Sequence, residues 1–533
     1  MAPVRLAVLD LGSTTFQLLV ADADEDGSLS PVIRDRVVLN LGMALGPGGI
    51  PDQLATRAAE TVLRFRNVAE RAGVDRLVAV GTSALRDAPN RDELDALLEP
   101  AAGVSVRFID GREEARLMFA GIRASVALGP GATLFLDLGG GSLEVAVADG
   151  ILRWGESVPV GAGRLTAQLV RSDPPKRSER KAVREAVTDA LEDLVDRVRR
   201  EAPMRCVASG GTAGALARVL AARRWATPPD SLNGFQLAVG EIRDLSRELA
   251  ALSLRERLKI AGIDDRRANL LPAGAIILST AAASLGAATL VHSEWGLREG
   301  IVLDELGLAD GPGPEPAALR RRSVQRLVRI WAEDRPHVEL IARLALSMFD
   351  DLRALHGLGE REREWLEHAA LLHDVGVRVS PDRNHKHGAY LVEHAGLRGF
   401  SPEEVAIIAS LVRFQKGRPP RPAYVPYAGL SPELQAHVRV LAGILRVAHA
   451  LGRGGEDDVR QVSVRISGSR VRVQLIGTSN PEGAAAEAQI QAELLAGAVG
   501  RELRFEGGSL DRTETWRDAG ERNPSSREPT ADP

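Results

Sequence analysis

Twice in this chain an apolar strand runs into an aspartate, turns on glycine and a hydroxyl residue, and returns as a second apolar strand. The two stretches are "RLAVLDLGSTTFQLLV" at 5–20 and "LFLDLGGGSLEVAVADG" at 134–150. Taken singly, each is a hairpin whose glycines supply the backbone angles a tight turn needs. That accounts for the glycines, but not for Asp10 and Asp137 before the turns or Glu144 after the second. A glycine turn exposes backbone N–H groups that can cradle phosphate oxygens. Carboxylates beside it suit Mg²⁺, which binds through one or two carboxylates plus substrate phosphates. Two such units in one chain point to two lobes facing a shared phosphate. There is no glycine-rich run ending in Lys-Ser or Lys-Thr, which excludes a P-loop, and no GxGxxG between a strand and a helix, which excludes a dinucleotide fold.

The strand and helix patterns divide the 533 residues. Residues 1–125 alternate the two, with strands expected at 5–10, 16–22, 32–39, 77–81 and 104–109 and helices at 52–72, 90–99 and 112–124. Residues 126–305 begin again with strands at 133–138 and 143–148, then a polar helix at 175–201, a strand at 205–209, a helix-rich tract to 286 and a closing strand, turn and helix. A glycine- and proline-rich linker, 306–319, precedes a helical region at 320–453. A small α+β unit follows at 454–506, with strands at 461–467 and 470–476 and a helix at 484–498. Residues 507–533 read as a disordered tail, being polar and poor in apolar side chains. The single cysteine, Cys206, excludes an internal disulfide and a cysteine-rich zinc site. No apolar run is long enough to cross a bilayer and no leader is evident, so the expected setting is cytoplasmic with no membrane partner. A net charge of −4 gives no general reason to expect nucleic acid.

Further segments stand in order with the hairpins: "GTSALRDAPN" (81–90), "FIDGREEARLMFAGI" (108–122), "ASGGTAGAL" (208–216), "RRANLLPAGAIIL" (266–278) and "WGLREGIVLDEL" (295–306). Together they resemble the exopolyphosphatase / guanosine pentaphosphate phosphohydrolase (Ppx/GppA) family over about 1–306. The resemblance implies a two-lobed α/β actin-like (ribonuclease H-like) fold. The region beyond it resembles the all-α HD-like domain and small terminal α+β domain of the family's longer members. It further implies hydrolysis of terminal phosphoanhydride bonds of polyphosphate or guanosine pentaphosphate, a Mg²⁺ cofactor with K⁺ stimulation, and a homodimer with a place in the stringent response.

Carried over by motif, Glu114 is implied as the catalytic glutamate and Asp10, Asp137 and Glu144 as the metal-holding acids. Gly12, Ser13, Thr14, Arg86, Gly140, Gly141, Ser142, Gly210, Gly211 and Thr212 are implied as phosphate-binding. Two positions depart from the family. Thr14-Thr15 stands where Asn-Ser is usual, and sugar kinases of the superfamily carry threonines there; Leu143 replaces a threonine. These departures keep two other readings open: a phosphotransferase passing phosphate to ADP, and a non-catalytic sensor of polyphosphate or an alarmone.

The chemistry is consistent with the residue types. Phosphoanhydride cleavage needs an in-line water, a group to orient it and positive charge on the equatorial oxygens. A buried glutamate whose pKa is raised by neighbouring acids suits the first task. Three clustered acids repel a polyanion unless a divalent cation joins them.

Seven of the ten histidines fall between 337 and 394. "HAALLHDVGV" resembles the metal dyad of HD hydrolases, implying a site of His337, His373, Asp374 and His387, with His385 as the alternative to His387. The usual last acid is absent, with His449 and Gly452 in that segment, so the expectation is a structural domain with a lost metal site. Three basic runs, 174–181, 320–329 and 413–421, are the expected grip on a long polyanion, and the 320–500 region is expected to serve that grip and subunit contact.

Overall fold

The computed structural model describes residues 3–454, 459–468, 470–476 and 481–508. Two sheets form the first 305 residues. The first has strand order β3-β2-β1-β4-β5, from Val4–Leu11 (β1), Thr15–Ala23 (β2), Leu29–Val38 (β3), Arg76–Gly81 (β4) and Val106–Phe108 (β5). The second runs β10-β11-β9-β6-β7-β8, from Thr133–Leu138 (β6), Leu143–Asp149 (β7), Ile151–Val158 (β8), Arg205–Ser209 (β9), Gln236–Ala238 (β10) and Thr289–His292 (β11). Both contain the same unit. An antiparallel meander, β1-β2-β3 or β6-β7-β8, is joined along its first strand to a parallel strand, β4 or β9. Register places Asp10 opposite Gln17 in one and Asp137 opposite Glu144 in the other. β1 and β6 lie inside their sheets, so their apolar runs are near-continuous.

Helices cover the outer faces. In Asp52–Arg71 the residues Ala55, Ala58, Val62, Phe65 and Ala69 recur at three and four spacings and pack on the first sheet. The helix Gly111–Arg123 starts at Asp110, whose carboxylate accepts from the N–H groups of Arg112 and Glu113. It serves both lobes. Leu117 and Ala120 join Leu6 and Val8 of the first sheet, while Met118, Phe119 and Ile122 join Phe135, Ala146 and Val207 of the second.

Three expectations are corrected here. The helix Leu297–Glu305 follows the second sheet in the chain but packs on the first, through Ile301 and Val302 against Leu6, Val8 and Leu19. It crosses Gly111–Arg123 backbone to backbone: a Cβ on Gly300 would strike the carbonyl of Leu117, and one on Gly121 the carbonyl of Gly296. The expected helix 175–201 is two helices, Arg177–Ala190 and Glu192–Glu201, broken at Leu191, whose side chain is buried in the second lobe's core. The linker is tied down as well, because Arg123 donates to the carbonyls of Leu308, Ala309 and Gly311.

Beyond it, helices Pro316–Trp331, Arg335–Asp351, Glu360–Leu372, Asn384–His394, Pro402–Phe414 and Pro432–Leu451 surround Phe349, Trp365, Phe400 and Leu441. A small sheet of order β12-β13-β14 follows, from Gln461–Ser467 (β12), Arg470–Ile476 (β13) and Glu502–Gly508 (β14). Its buried Val462, Val471, Val473 and Leu475 belong to the same core as the helices, so 320–453 and 454–506 form one unit rather than two. β14 also extends past residue 506; of the expected tail, residues 509–533 lie outside the described residues. No helix among the described residues is long and apolar enough to cross a membrane.

The basic run 320–329 is not a free surface. Arg320 pairs with Glu364 and Glu404 at 2.7 Å and donates to the Gly399 carbonyl at 2.9 Å. Arg322 and Arg326 hold the turn between β2 and β3 through the Asp26 carbonyl and Ser30, and Arg329 reaches Asp24 at 3.3 Å. Arg322, Arg326 and Arg329 clamp the helical unit to the first lobe, so these three and Arg320 are engaged within the protein rather than offered to a polyanion. The second lobe is held by Arg398 to Glu294 at 3.2 Å and His394 to Asp230 at 2.6 Å.

Candidate active site

The two aspartate turns face each other across a cavity of about 690 Å³ lined from both lobes. Each turn is fastened from outside. In the first, Ser13 Oγ accepts from the Ala84 N–H at 3.0 Å, and the Thr14 carbonyl accepts from the N–H groups of Leu39 and Asn40 at 2.9 Å. In the second, the carbonyls of Gly139 and Gly140 accept from the N–H groups of Ala162 and Arg164 at 3.0 and 2.9 Å. Arg164 Nε closes the Gly141 carbonyl at 2.8 Å. The approach is close enough to require glycine. A Cβ on Gly140 would run into the Thr14 hydroxyl, and one on Gly141 would lie 2.5 Å from Ser13 Oγ. Gly12, Ser142, Gly210, Gly211 and Thr212 also line the cavity. Gly210 has φ of 86°, in the left-handed region glycine favours, and a Cβ there would strike Asp137.

The acids converge in this cleft. Asp10 is buried and accepts from Gln17 Nε2 at 2.9 Å. Burial first, and then Asp137 nearby, push its carboxyl up to about 6 against the pull of Arg298. Burial likewise pushes Asp137 up to about 6. Glu144, 3% exposed, accepts from Ser157 Oγ at 2.7 Å; burial and Asp137 raise it to about 7. Glu114, on the first turn of its helix, is 7% exposed. Burial, then Glu144 and Asp10, push its carboxyl well above the usual range, opposed by Arg86. Glu113, its neighbour in sequence, points elsewhere, 3.7 Å from Arg107.

Arg86 stands beside Glu114, held by the Ile109 carbonyl at 2.9 Å, Asp87 at 3.1 Å and Glu114 itself at 3.3 Å. Arg34, Arg36, Arg218, Arg266, Arg267 and Arg298 form a further cationic wall to the cavity. The Arg267 guanidinium lies over Gly211, in the space a Cβ would take. Burial lowers Arg267 to about 10, with Arg36 and Arg218 adding to the effect, so it stays charged at neutral pH. Asp264, the acid that favours the charged forms of Arg218 and Arg267, is already engaged by Arg36. Neither Arg218 nor Arg267 has a carboxylate within ion-pair distance among the described residues. None of these arginines was singled out from the sequence. The "RRANLLPAG" segment carrying Arg266 and Arg267 was the available signal.

In the helical unit, His337, His373 and His449 come together, with ring nitrogens within 4.8 Å of one another. Asp374 approaches two of them, His373 at 3.4 Å and His337 at 3.6 Å, and His387 is not in the group. The helix Asn384–His394 presents Asn384 to Asp374 instead, at 2.9 Å, and His387 lies nearly a full turn further along. His385 lines a separate basic pocket with Lys386, Arg413, Arg418 and Arg421.

Residues 19–309 match the model of the Ppx/GppA phosphatase family, and residues 319–494 that of Ppx/GppA phosphatase domain III. Exopolyphosphatase 1 of Mycobacterium leprae is 32% identical over 332 residues, covering 61% of this chain and 97% of that protein. An uncharacterised protein of Streptomyces coelicolor is 34% identical over 325 residues, covering 60% of this chain and 94% of that one. The crystal structure of an exopolyphosphatase from Cytophaga hutchinsonii superposes with a TM-score of 0.53 at 26% identity, covering 57% of this chain and 98% of that chain. The two-lobed actin-like fold expected from the sequence is the fold these proteins share.

Proposed function

Because the chain belongs to the Ppx/GppA phosphatase family, we propose that it hydrolyses the terminal phosphoanhydride bond of inorganic polyphosphate, with Glu114 orienting the attacking water. The observation that carries this reading is the state of Glu114: a buried carboxyl with a raised pKa, restrained by Arg86, beside two facing glycine turns. Burial and neighbouring acids raise the proton affinity of such a carboxyl, which makes it a stronger general base than a free glutamate. The terminal phosphate would lie between the Gly12–Thr14 and Gly140–Ser142 turns, where backbone N–H groups and the Ser13 and Ser142 hydroxyls are available to its oxygens. Arg218, Arg266 and Arg267 extend the binding wall beyond one phosphate, which suits a chain of phosphates.

The residues present fit a Mg²⁺ ion. Two aspartates in facing turns, both pushed up in pKa, form a site whose charge Arg298 offsets only in part, and hard oxygen donors suit that ion. Asp10 and Asp137 would hold it, with Glu144 behind Asp137. When bound, Mg²⁺ would neutralise charge developing on the transferred phosphoryl group. Glu114 stays free to orient water, and Arg86 holds it in place.

The test is one assay. Purified protein is given long-chain polyphosphate with Mg²⁺ and K⁺, with and without ADP, and separately guanosine pentaphosphate. Phosphate release from polyphosphate, lost in Glu114→Gln, supports the proposal. ATP formation would support phosphotransfer, binding without turnover a sensor, and turnover of guanosine pentaphosphate alone the nucleotide as substrate.

A further inference from the structure

Arg164, in the helix Ala162–Leu169 of the second lobe, reaches across to the first. Its Nε donates to the Gly141 carbonyl of the second phosphate turn at 2.8 Å. Its Nη2 donates to Ser83 Oγ and to Asp87 Oδ2 of the first lobe, both at 3.3 Å. The lobes touch at this point: a Cβ on Gly141 would strike the hydroxyls of Ser83 and Ser13. One guanidinium therefore holds the second turn and the first lobe together.

Asp87 is shared between two arginines. Its Oδ2 faces Arg164, and its Oδ1 accepts from Arg86 Nε at 3.1 Å. Arg86 Nη1 goes to the Ile109 carbonyl and to Glu114. The contacts run in one line from the second turn to the buried glutamate: Gly141, Arg164, Asp87, Arg86, Glu114. The division of Asp87 gives that line a consequence. A carboxylate and a guanidinium pair best through two parallel bonds. Asp87 and Arg86 make one, with the other carboxylate oxygen turned to Arg164. When Arg164 withdraws, both oxygens are open to Arg86, and a two-bond pair draws its guanidinium toward Asp87 and away from Glu114.

We propose that Arg164 is a positioning residue that carries closure of the lobes through Asp87 and Arg86 to Glu114, so that the glutamate is set only when the second phosphate turn is seated against the first lobe. The inference rests on the reading of Glu114 as the group that orients water. The Arg164–Asp87 pair is partly exposed, and such pairs contribute little to stability. A weak contact suits a latch that has to open and close.

The test reads this line twice, once without turnover. Hydrogen–deuterium exchange of the full chain is followed in the wild type, Arg164→Ala, Asp87→Ala and the double variant. Arg164→Ala should speed exchange of the amides at 109–116, in the other lobe, at least ~3-fold. The same substitution should leave that segment unchanged in the Asp87→Ala background, where no carboxylate remains at 87 to draw Arg86 aside. Steady-state kinetics on polyphosphate gives the second reading. Arg164→Ala should lower kcat at least ~10-fold, since an ångström of misplacement costs up to about 10²-fold. KM should stay within about threefold, because the partners of Arg164 are protein groups. In the Asp87→Ala background the kcat loss from Arg164→Ala should shrink to less than about threefold. Exchange that rises only at 139–166 overturns the proposal, as does an equal kcat loss in both backgrounds; either makes Arg164 a brace of its own turn. A rise in KM at unchanged kcat overturns it too, and places Arg164 on substrate. If the wild-type chain releases no phosphate, the functional reading falls, and the exchange measurement alone decides the latch.

Discussion

Arg86 Nη1 stands 3.3 Å from Glu114 Oε2 and 2.9 Å from the Ile109 carbonyl, so one nitrogen ties the buried glutamate to the end of the loop that precedes its own helix. The cation favours the ionised form of a carboxyl that burial, Glu144 and Asp10 all disfavour. Glu114→Gln removes the charge and keeps the shape. Phosphate release should fall at least ~10²-fold, the low end of general-base contributions, with polyphosphate binding retained. Arg86→Ala should shift the acidic limb of the kcat/KM profile to higher pH, since the remaining neighbours raise the Glu114 pKa. A profile that falls in height without moving would show that Arg86 acts on substrate instead.

The raised acids make stability depend on pH and metal. Asp10 and Asp137 at about 6 and Glu144 at about 7 all lie above the values near 4 expected of an unfolded chain. Between these limits the folded protein holds protons that the unfolded chain has lost. The associated stability is fully present below about pH 4 and disappears as pH rises through 6 to 7. Without divalent cations, the melting temperature of the cleft lobes should therefore fall from pH 5 to pH 8. Mg²⁺ should restore it at pH 8 and act little at pH 5, with about 2.7 kcal/mol available at a hundred times Kd. Equal effects of Mg²⁺ at both pH values, read by differential scanning fluorimetry, would place the ion elsewhere.

Among the described residues Arg267 has no carboxylate within ion-pair distance, and it lies over Gly211. Charged hydrogen bonds contribute about 1.5–3 kcal/mol, so Arg267→Ala should raise KM for polyphosphate by about 10–150-fold. The value of kcat should change much less, and the salt dependence of KM should flatten. Arg329→Ala, which loses only its link to Asp24, should leave KM within about threefold. Steady-state kinetics at two salt concentrations separate the two arginines.

Gly140→Ala tests the approach of the turns. Its Cβ has no room beside the Thr14 hydroxyl, so the lobes must part. Overpacking of this kind costs about 1–3 kcal/mol. The expected result is a loss of kcat/KM of tenfold or more, partly recovered in Gly140→Ala/Thr14→Gly. Failure of the second substitution to recover any activity would locate the damage in the turn itself.

Asp10, Asp137 and Glu144 were legible in the sequence because each sits beside a hairpin turn, whereas Glu114, at an ordinary acidic helix start, was reached only through the resemblance to the family. What escaped depends on partners distant in the chain. Arg267 follows Gly211 by more than fifty residues, and nothing local says that its guanidinium covers that glycine. The run 320–329 shows five arginines, but not that Asp24, Asp26, Ser30, Glu364 and Glu404 engage four of them. Periodicity made Ile301 and Val302 apolar helix residues without saying which sheet they cover. β10 is too short to leave a pattern, and β14 pairs with β13 across two intervening helices, so its residues resembled the polar tail they adjoin.

The crossing at Gly121 and Gly300 brings two helix backbones together with no side chain between them. Side chains at an interface yield by changing rotamer; peptide planes in contact have no such freedom. The crossing therefore behaves as an axle. One of its helices is bedded in both lobes and the other in the first. A widening of the phosphate cleft that keeps this crossing intact turns about that line, with the cleft as the far end of a lever. A few degrees at the axle become a larger throw at the turns, so a small change at Gly121 is geared up into the reach between Thr14 and Gly140.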